Sequence, residues 1–181
     1  LLSPIMANLI KNGYQKVTNL ITPENAEGLA EIIWTDIKSY PPEYCPDRGF
    51  VWQLYKSPCL KDLSTKFHPM MEKIVGEPLK ETYWFTTVYT NNSYMVRHTD
   101  RDACEISLSL NLKSDINWTL NLQDLQGKEH RLNTKAGDGI CYLGREVSHE
   151  RELLVSKTKQ IYIQSFFHWV RTNGDFACET E

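Results

Sequence analysis

The feature that most constrains the fold is a nine-residue segment, CEISLSLNL at positions 104–112, in which apolar and polar residues alternate without interruption. Successive side chains of a β-strand point to opposite faces of a sheet, so this period of two predicts a strand with one apolar and one polar face. The apolar members are Cys104, Ile106, Leu108, Leu110 and Leu112. Such a strand needs neighbouring strands and an apolar layer that covers its apolar face.

Further segments of β character fill the second half of the chain, and helical patterns fill the first. YWFTTVYT, WTLNL, GICYL and KQIYIQSFFHWV are rich in aromatic and β-branched residues, and turn signals such as LQGKE and KAGDG separate them. Thr22 and Pro23 predict the start of a first helix. A second helical pattern contains Pro69, which is predicted to break or kink it.

This order of patterns predicts a mainly β protein with N-terminal helices. Several short strands with closely spaced turns are typical of a sandwich or barrel, and the helices are expected to pack on its outside. The 181 residues favour one domain, 1–181. Within it we expect a helical support region at about 20–78 and a β core at about 80–172.

Charge and cysteine content argue against several classes of protein. Lys and Arg number 20 against 23 Asp and Glu, and the resulting formal charge of −3 makes nucleic acid an unlikely partner. The five cysteines form no CxxC pair, which argues against a zinc ribbon or disulfide scaffold and favours reduced thiols in the cytoplasm. We also expect no membrane span and no signal peptide, because no apolar run approaches about 20 residues and LLSPIMANLIKNGYQ lacks a basic start before a long apolar stretch.

A candidate metal site begins in RHTDRDAC, residues 97–104, where a strand-like spacing directs His98 and Asp100 to the same face. His149 fits as the third ligand, because it lies in phase with apolar residues in a second β-like segment. The residues in this phase are Val147, His149, Arg151, Leu153 and Val155. The remaining histidines are predicted to be a surface or packing residue (His68), part of an exposed hairpin tip (His130) and an outward-facing residue (His168).

His98, Asp100 and His149 would form a two-histidine, one-carboxylate triad on one face of a six-coordinate metal. Such a triad suits ferrous iron that binds an organic acid and oxygen, whereas structural zinc takes a closed set of four ligands. Two simpler interpretations compete, namely a chance HxD pair and an interior histidine that only hydrogen bonds within the core. The β texture around both segments and the phase of His149 favour the metal site.

The strings VYTNNSYMVRHTDRDACEISLSLNL, AGDGICYLGREVSHERELL and SFFHWVRTNG carry a resemblance to a known family. His149 follows His98 by 51 residues, Lys159 follows His149 by ten, and Tyr89 precedes His98 by nine. Roughly residues 80–175 thus resemble the iron(II)- and 2-oxoglutarate-dependent oxygenases, in particular the small bacterial and phage members of the prolyl-4-hydroxylase-like branch. The resemblance implies a double-stranded β-helix, a cupin-like jelly roll, packed against two or more helices.

The resemblance also implies roles for individual residues. The three ligands would bind Fe(2+), with 2-oxoglutarate as cosubstrate, O2 as oxidant and ascorbate as an optional reductant. Lys159 and Tyr89 would bind the far carboxylate of 2-oxoglutarate, and Arg151 competes with Lys159 because it shares the face of His149. No catalytic side chain beyond the metal ligands is expected. The implied reaction is hydroxylation of an unactivated C–H bond with release of succinate and CO2.

The substrate stays open between a small molecule and a peptidyl side chain. The glycine-rich GGxT-type segment of many prolyl hydroxylases is replaced here by NLKSDINWTLNLQDLQGKEH, which argues against a prolyl substrate. Two alternative functions compete with the oxygenase: a cupin-like metal enzyme of another reaction type, and a non-catalytic binding module on the same fold. The sequence carries no signal of the oligomeric state.

Overall fold

The computed structural model describes residues 4–180, with side chains from Asn8 onward. This part of the chain forms three α-helices, α1 (Pro4–Asn12), α2 (Pro23–Ile37) and α3 (Lys61–Val75). It also forms eleven strands, β1 (Tyr14–Val17), β2 (Glu43–Cys45), β3 (Gly49–Tyr55), β4 (Leu79–Thr90), β5 (Met95–His98), β6 (Ile106–Ser114), β7 (Leu120–Gln123), β8 (Glu129–Leu132), β9 (Gly139–Leu143), β10 (His149–Arg151) and β11 (Ile161–Arg171). Within the described residues, no helix combines the length and apolar character that a membrane span requires.

The strands form two antiparallel sheets. The large sheet has the order β1-β9-β6-β11-β4-β3-β2, and the small sheet has the order β5-β10-β7-β8. From β4 to β11 the chain distributes its strands between the two sheets, which produces a double-stranded β-helix and confirms the predicted fold class. Met95 and Leu122 of the small sheet pack against Ile140 and Tyr142 of the large sheet, so apolar contacts join the two sheets.

Helices α2 and α3 follow from local sequence signals. Thr22 caps α2 by accepting a hydrogen bond from the backbone N–H of Asn25, and Pro23 occupies the first turn. Helix α3 ends at Gly76, whose φ of 84° suits the left-handed conformation that glycine adopts without strain. The predicted break at Pro69 is wrong, because α3 continues through this residue to Val75. Apolar residues buried on both sides of the proline hold the helix against the sheet.

The first half of the chain contains strands that the helical pattern did not predict. β2 and β3 form a hairpin that extends the large sheet next to β4, and β1 pairs with β9 at the opposite edge. The only signal for β3 is the aromatic and β-branched run FVWQLY, which follows a glycine with φ of 77° at position 49. This hairpin matters for the site because Arg48, at the start of β3, lines the central cavity.

The two faces of the large sheet have different chemistry although both are buried. On β6, Ile106, Leu108 and Leu110 pack into the core formed with the three helices. The intervening residues Ser107 and Ser109 point to the opposite face, yet they are equally buried, because that face lines the interior of the β-helix. The alternation of this strand therefore separates an apolar helix-facing layer from a polar interior. The functional site lies on the polar side.

Candidate metal centre

Two strands of the small sheet bring the predicted metal ligands together. His98 ends β5, and Asp100 follows in a loop that is fixed by a 2.8 Å hydrogen bond from its backbone N–H to the carbonyl oxygen of Gly144. His149 begins β10 and lies directly opposite His98 in the β5–β10 register. The potential ligand atoms of His98, Asp100 and His149 all lie within 4.8 Å of one another.

The two imidazoles are oriented for ligation. The Nδ1 of His98 donates to the carbonyl oxygen of Val96 at 2.8 Å, and the Nδ1 of His149 donates to that of Val147 at 3.2 Å. Each Nε2 therefore keeps a lone pair directed away from the backbone, as a metal-binding histidine requires. These Nε2 atoms lie 3.4 and 3.5 Å from the same carboxylate oxygen, Oδ1 of Asp100.

The charges of the three groups suit a divalent cation. Burial opposes ionisation of Asp100, but the hydrogen bond from His98 and the neighbouring imidazoles outweigh it and lower the pKa of the carboxyl to about 2. The hydrogen bond to Asp100 raises the pKa of His98, while burial lowers the pKa of His149. Metals bind the ionised carboxylate and the neutral imidazoles, so a cation would compete with a proton on His98 and not on His149. The three residues could therefore hold a metal ion.

The triad opens onto a cavity of about 470 Å³ in the interior of the β-helix. Its volume falls within the range of roughly 300–1,000 Å³ that is usual for small-molecule sites. Aromatic side chains from β3, β4 and β11 form much of its wall, and arginines contribute positive charge. The lining outside the triad includes Arg48, Gln53, Tyr55, Tyr83, Phe85, Met95, Arg101, Tyr142, Phe166 and His168.

Comparison with known proteins identifies the fold. No family model and no curated protein matches the sequence. Among solved structures, a Pseudomonas putida prolyl-4-hydroxylase aligns with a TM-score of 0.70 at 18% identity, covering 93% of this chain and 98% of that one. A prolyl hydroxylase from Trichoplax adhaerens, in complex with a hypoxia inducible factor peptide, aligns with a TM-score of 0.75 at 13% identity, covering 98% and 91%. The fold is that of the 2-oxoglutarate- and iron(II)-dependent oxygenases.

Other structures with this oxygenase fold hold a metal and the cosubstrate. HygX from Streptomyces hygroscopicus, with nickel and 2-oxoglutarate bound, aligns with a TM-score of 0.72 at 9% identity over 93% of this chain and 87% of that chain. The epimerase SnoN of nogalamycin biosynthesis, in complex with Fe3+ and alpha ketoglutarate, aligns with a TM-score of 0.73 at 12% identity, over 92% and 83%. At these identities the likeness establishes the oxygenase fold alone.

Two of the three predicted cosubstrate residues lie deep in the β-helix. Tyr89 is fully buried, and its phenolic oxygen meets no partner within ordinary hydrogen-bond geometry among the described residues, although the guanidinium of Arg48 lies near enough to interact with it. Arg151 is 5% exposed and lies beside the edge-to-face pair of Trp118 and Tyr162, with its Cζ atom 4.8 and 4.9 Å from their ring centroids. The ring of Trp118 also contacts that of Tyr89, with centroids 5.0 Å apart, so Arg151 and Tyr89 belong to one cluster.

The structure does not bring Lys159 to this cluster. Its side chain is exposed, and its Nζ lies 5.5 Å from the ring centroid of Trp34 on helix α2. The prediction that Lys159 shares a face with Ile161 and Ile163 holds, but these residues pack into the helix-facing core and not into the interior. The family spacing therefore places a lysine on the outer face, whereas Arg151 faces the interior.

The series of alternate residues around His149 that was predicted to face the interior ends earlier than expected. Strand β10 ends at Arg151, and the following residues Leu153 and Val155 are 52% and 72% exposed. Leu154 is buried in their place because the chain leaves the regular strand after Arg151. His149 and Arg151 are the members of the predicted phase that face the interior from β10.

The prediction that His168 faces outward is wrong. It is out of phase with the apolar residues of β11, as the sequence indicated, but its side chain is only 2% exposed and lines the cavity. The reason is that β11 lies in the middle of the large sheet between β4 and β6, so both of its faces are covered. Burial lowers the pKa of His168 to about 4, and the ring is neutral at pH 7.

Sequence reasoning also missed Ser107 and Arg48. Ser107 donates a hydrogen bond to the second carboxylate oxygen of Asp100, Oδ2, at 3.1 Å and so orients the ligand. Arg48 lines the cavity with its Cζ atom 6.0 Å from the ring centroid of Phe85, and its buried Nε has no hydrogen-bond partner. A serine on an alternating strand and an arginine in a turn-rich segment carry no sequence signal that distinguishes them from solvated residues.

Proposed function

We propose that this protein is an iron(II)- and 2-oxoglutarate-dependent oxygenase that hydroxylates a C–H bond of a small molecule or a peptidyl side chain. The observation that carries the proposal is the convergence of His98, Asp100 and His149 at the wall of an interior cavity in this fold. A three-ligand site with two histidines and one carboxylate suits ferrous iron and leaves coordination positions for other ligands.

The buried cluster that contains Arg151 and Tyr89 is chemically suited to the far carboxylate of 2-oxoglutarate. No ion pair within residues 4–180 includes Arg151, and its known polar contacts are the carbonyl oxygen of Trp118 and the hydroxyl of Tyr162. A buried guanidinium without an anion is costly, so a bound carboxylate would stabilise it. The unpartnered hydroxyl of Tyr89 is positioned in the same cluster to donate a second hydrogen bond.

The placement of the two ends also supports this assignment. His149 and Arg151 are two residues apart on β10 and both are buried, although the β5–β10 register shifts between them. We therefore assign the anchoring role to Arg151 with Tyr89, and not to Lys159.

Each residue of the site would have a defined task in the reaction. When bound, ferrous iron with 2-oxoglutarate and O2 supplies the oxidative chemistry, in which succinate and CO2 are released. His98, Asp100 and His149 hold the metal, Ser107 orients the carboxylate of Asp100, and Arg151 orients the cosubstrate. The aromatic wall formed by residues such as Phe85 excludes water and confines the substrate next to the metal.

Two further parts of the proposal concern substrate and location. Solved structures with this fold are described in complex with a hypoxia inducible factor peptide and with hygromycin B, so the fold accommodates both peptide and small-molecule substrates.

The five cysteines, Cys45, Cys59, Cys104, Cys141 and Cys178, are all free thiols. This supports a reducing compartment, for which we propose the cytoplasm.

The test is anaerobic addition of ferrous iron and 2-oxoglutarate, followed by visible spectroscopy and measurement of succinate after oxygen is admitted. We expect a weak charge-transfer band that His98→Ala and Asp100→Ala abolish. The matched control is His130→Ala, because His130 pairs with Asp124 away from the cavity and should leave the band unchanged. A metal that binds without any response to 2-oxoglutarate would favour another metal enzyme, and a band without succinate formation would favour a binding module.

A further inference from the structure

His168 contributes a buried imidazole with an unpartnered nitrogen to the wall of the cavity that contains the candidate metal ligands. Its side chain is 2% exposed, and its Nε2 has no hydrogen-bond partner among the described residues. The residue contributes to the lining of the same 470 Å³ cavity as His98, Asp100 and His149. Buried polar atoms are normally hydrogen bonded, so an orphan atom on a cavity wall points to a ligand that supplies the missing partner.

A chain of hydrogen bonds determines which nitrogen of His168 carries the proton. The Oγ of Ser107 lies 3.1 Å from Oδ2 of Asp100 and 2.9 Å from Nδ1 of His168. The ionised carboxylate of Asp100 and the carbonyl oxygen of Cys104, 3.3 Å from this Oγ, can only accept, so the single hydrogen of Ser107 goes to one of them. Ser107 can then only accept from the imidazole, which places the ring proton of His168 on Nδ1. The unprotonated Nε2 is therefore a hydrogen-bond acceptor.

Ring packing holds this acceptor in a fixed orientation. The imidazole of His168 is nearly parallel to the rings of Phe85 and Phe166, with interplanar angles of 22° and 2° and centroids 5.7 and 6.4 Å apart. Tyr83 contacts it from another side with a centroid distance of 4.8 Å. These rings and the hydrogen bond to Ser107 restrain rotation of the side chain, so the imidazole keeps its orientation in the cavity wall.

We infer that His168 is a positioning residue for the primary substrate, and that the substrate carries an N–H or O–H group that donates a hydrogen bond to its Nε2. This inference rests on the proposed function, because it concerns the molecule that the oxygenase would hold next to the metal. It narrows the substrate class to amides, amines or alcohols with that donor close to the reacting C–H bond. A site with a fixed acceptor discriminates strongly against analogues that lack the donor.

The test is nitrogen NMR of the zinc-loaded protein with 15N-labelled histidine, which needs no oxygenase activity. We expect His168 to show a protonated Nδ1 and an unprotonated Nε2 at pH 7. The probes are 2-pyrrolidinone, which has an N–H donor, and N-methyl-2-pyrrolidinone, which lacks it and is otherwise similar. Titration with the first should shift the Nε2 resonance of His168 in a saturable way, and titration with the second should not.

Two controls make the result specific. His130, which pairs with Asp124, provides a resonance in the same spectrum that should respond to neither lactam. Ser107→Ala removes the partner of Nδ1 and should produce a mixture of the two tautomers at His168. A ring protonated on Nε2, an equal response to both lactams, or no response to either would overturn the inference. The charge-transfer band tests the proposed function separately, so the two can fail independently.

Discussion

The two faces of the large sheet are buried to the same degree but have opposite chemistry. On β11, Ile163, Phe167 and Trp169 pack into the helix-facing core, where the side chains are apolar. The alternate residues Gln164 and His168 face the interior of the β-helix and are also almost completely inaccessible to water. Burial alone therefore does not distinguish a core from a site. The distinction lies in whether the buried atoms are satisfied.

Unsatisfied polar atoms concentrate on the interior face. Several buried side chains there have an oxygen or nitrogen without a hydrogen-bond partner in the described part of the chain, and each such atom reduces stability. The residues concerned include Arg48, Thr87, Tyr89, Asn111, Gln164 and His168. The helix-facing layer stabilises the fold by apolar burial, and it thereby allows the interior to keep polar groups free for ligands.

The largest expected effect contrasts one substitution on each face. Phe167→Ala removes a fully buried ring that contacts Phe67 in the helix-facing core, with centroids 5.2 Å apart. We expect the free energy of unfolding to fall by about 4 kcal/mol. Thr87→Val removes an unpartnered hydroxyl on the interior face at almost constant shape, and unfolding in urea should show no loss or a small gain. Equal losses would contradict the contrast between the faces.

The second prediction concerns acid stability of the metal-free protein. The pKa of His168 is lowered from 6.5 to about 4 by burial, so below pH 6.5 the unfolded chain gains a proton that the folded protein does not. The contribution of His168 to the free energy of unfolding is therefore fully present above pH 6.5. As the pH falls towards 4, this contribution decreases by about 3 kcal/mol. Urea unfolding at pH 7 and pH 4 should show this loss in the wild type and a smaller one in His168→Phe. Identical pH dependence in both proteins would show that the imidazole is not buried.

The third prediction compares two basic residues on opposite faces. Arg151→Met should raise the dissociation constant of 2-oxoglutarate about a hundredfold, because charge-assisted hydrogen bonds are lost. The free energy of unfolding should stay constant or increase, because a buried charge is replaced by an apolar chain of similar length. Titration of the charge-transfer band measures the affinity. Lys159→Met is the control and should leave the dissociation constant of 2-oxoglutarate unchanged. A large increase in this variant would indicate that Lys159 is the anchor.

The smallest effect concerns the loop that holds Asp100. A Cβ atom at Gly144 would overlap the backbone carbonyl oxygen of Cys104 and lie 2.7 Å from Oδ2 of Asp100, so Gly144→Ala must displace the loop backbone as well as the carboxylate. We expect iron affinity to fall about tenfold, since a ligand shift of a fraction of an ångström weakens coordination. Gly28→Ala on α2 is the control, because nothing lies within 4 Å of its Cβ position. Iron titration of both variants measures this difference. Equal iron affinities in Gly144→Ala and Gly28→Ala would contradict the prediction.

Much of the fold and the juxtaposition of the three candidate ligands could be predicted from the chain. The alternation at 104–112 and the later β segments predicted a sandwich or barrel, and the family resemblance implied the β-helix. The strand phase of His98, Asp100 and His149 predicted residues that the structure brings within 4.8 Å. The strands β2 and β3 were not predicted, because their short and partly exposed segments lack a clear period. The basic anchor stayed open between Lys159 and Arg151, since spacing along the chain does not specify the side of the sheet.

The residues that share a face could be identified from the amino-acid sequence alone, because the strand period follows from local backbone geometry. The period correctly grouped Ile161 with Ile163, and it separated His168 from its apolar neighbours on β11. The elements that cover each face could not be identified in this way, since they depend on contacts between segments far apart in the chain. Helices cover one face of the large sheet and the small sheet covers the other, and for this reason His168 and Arg151 lie inside while Lys159 lies outside.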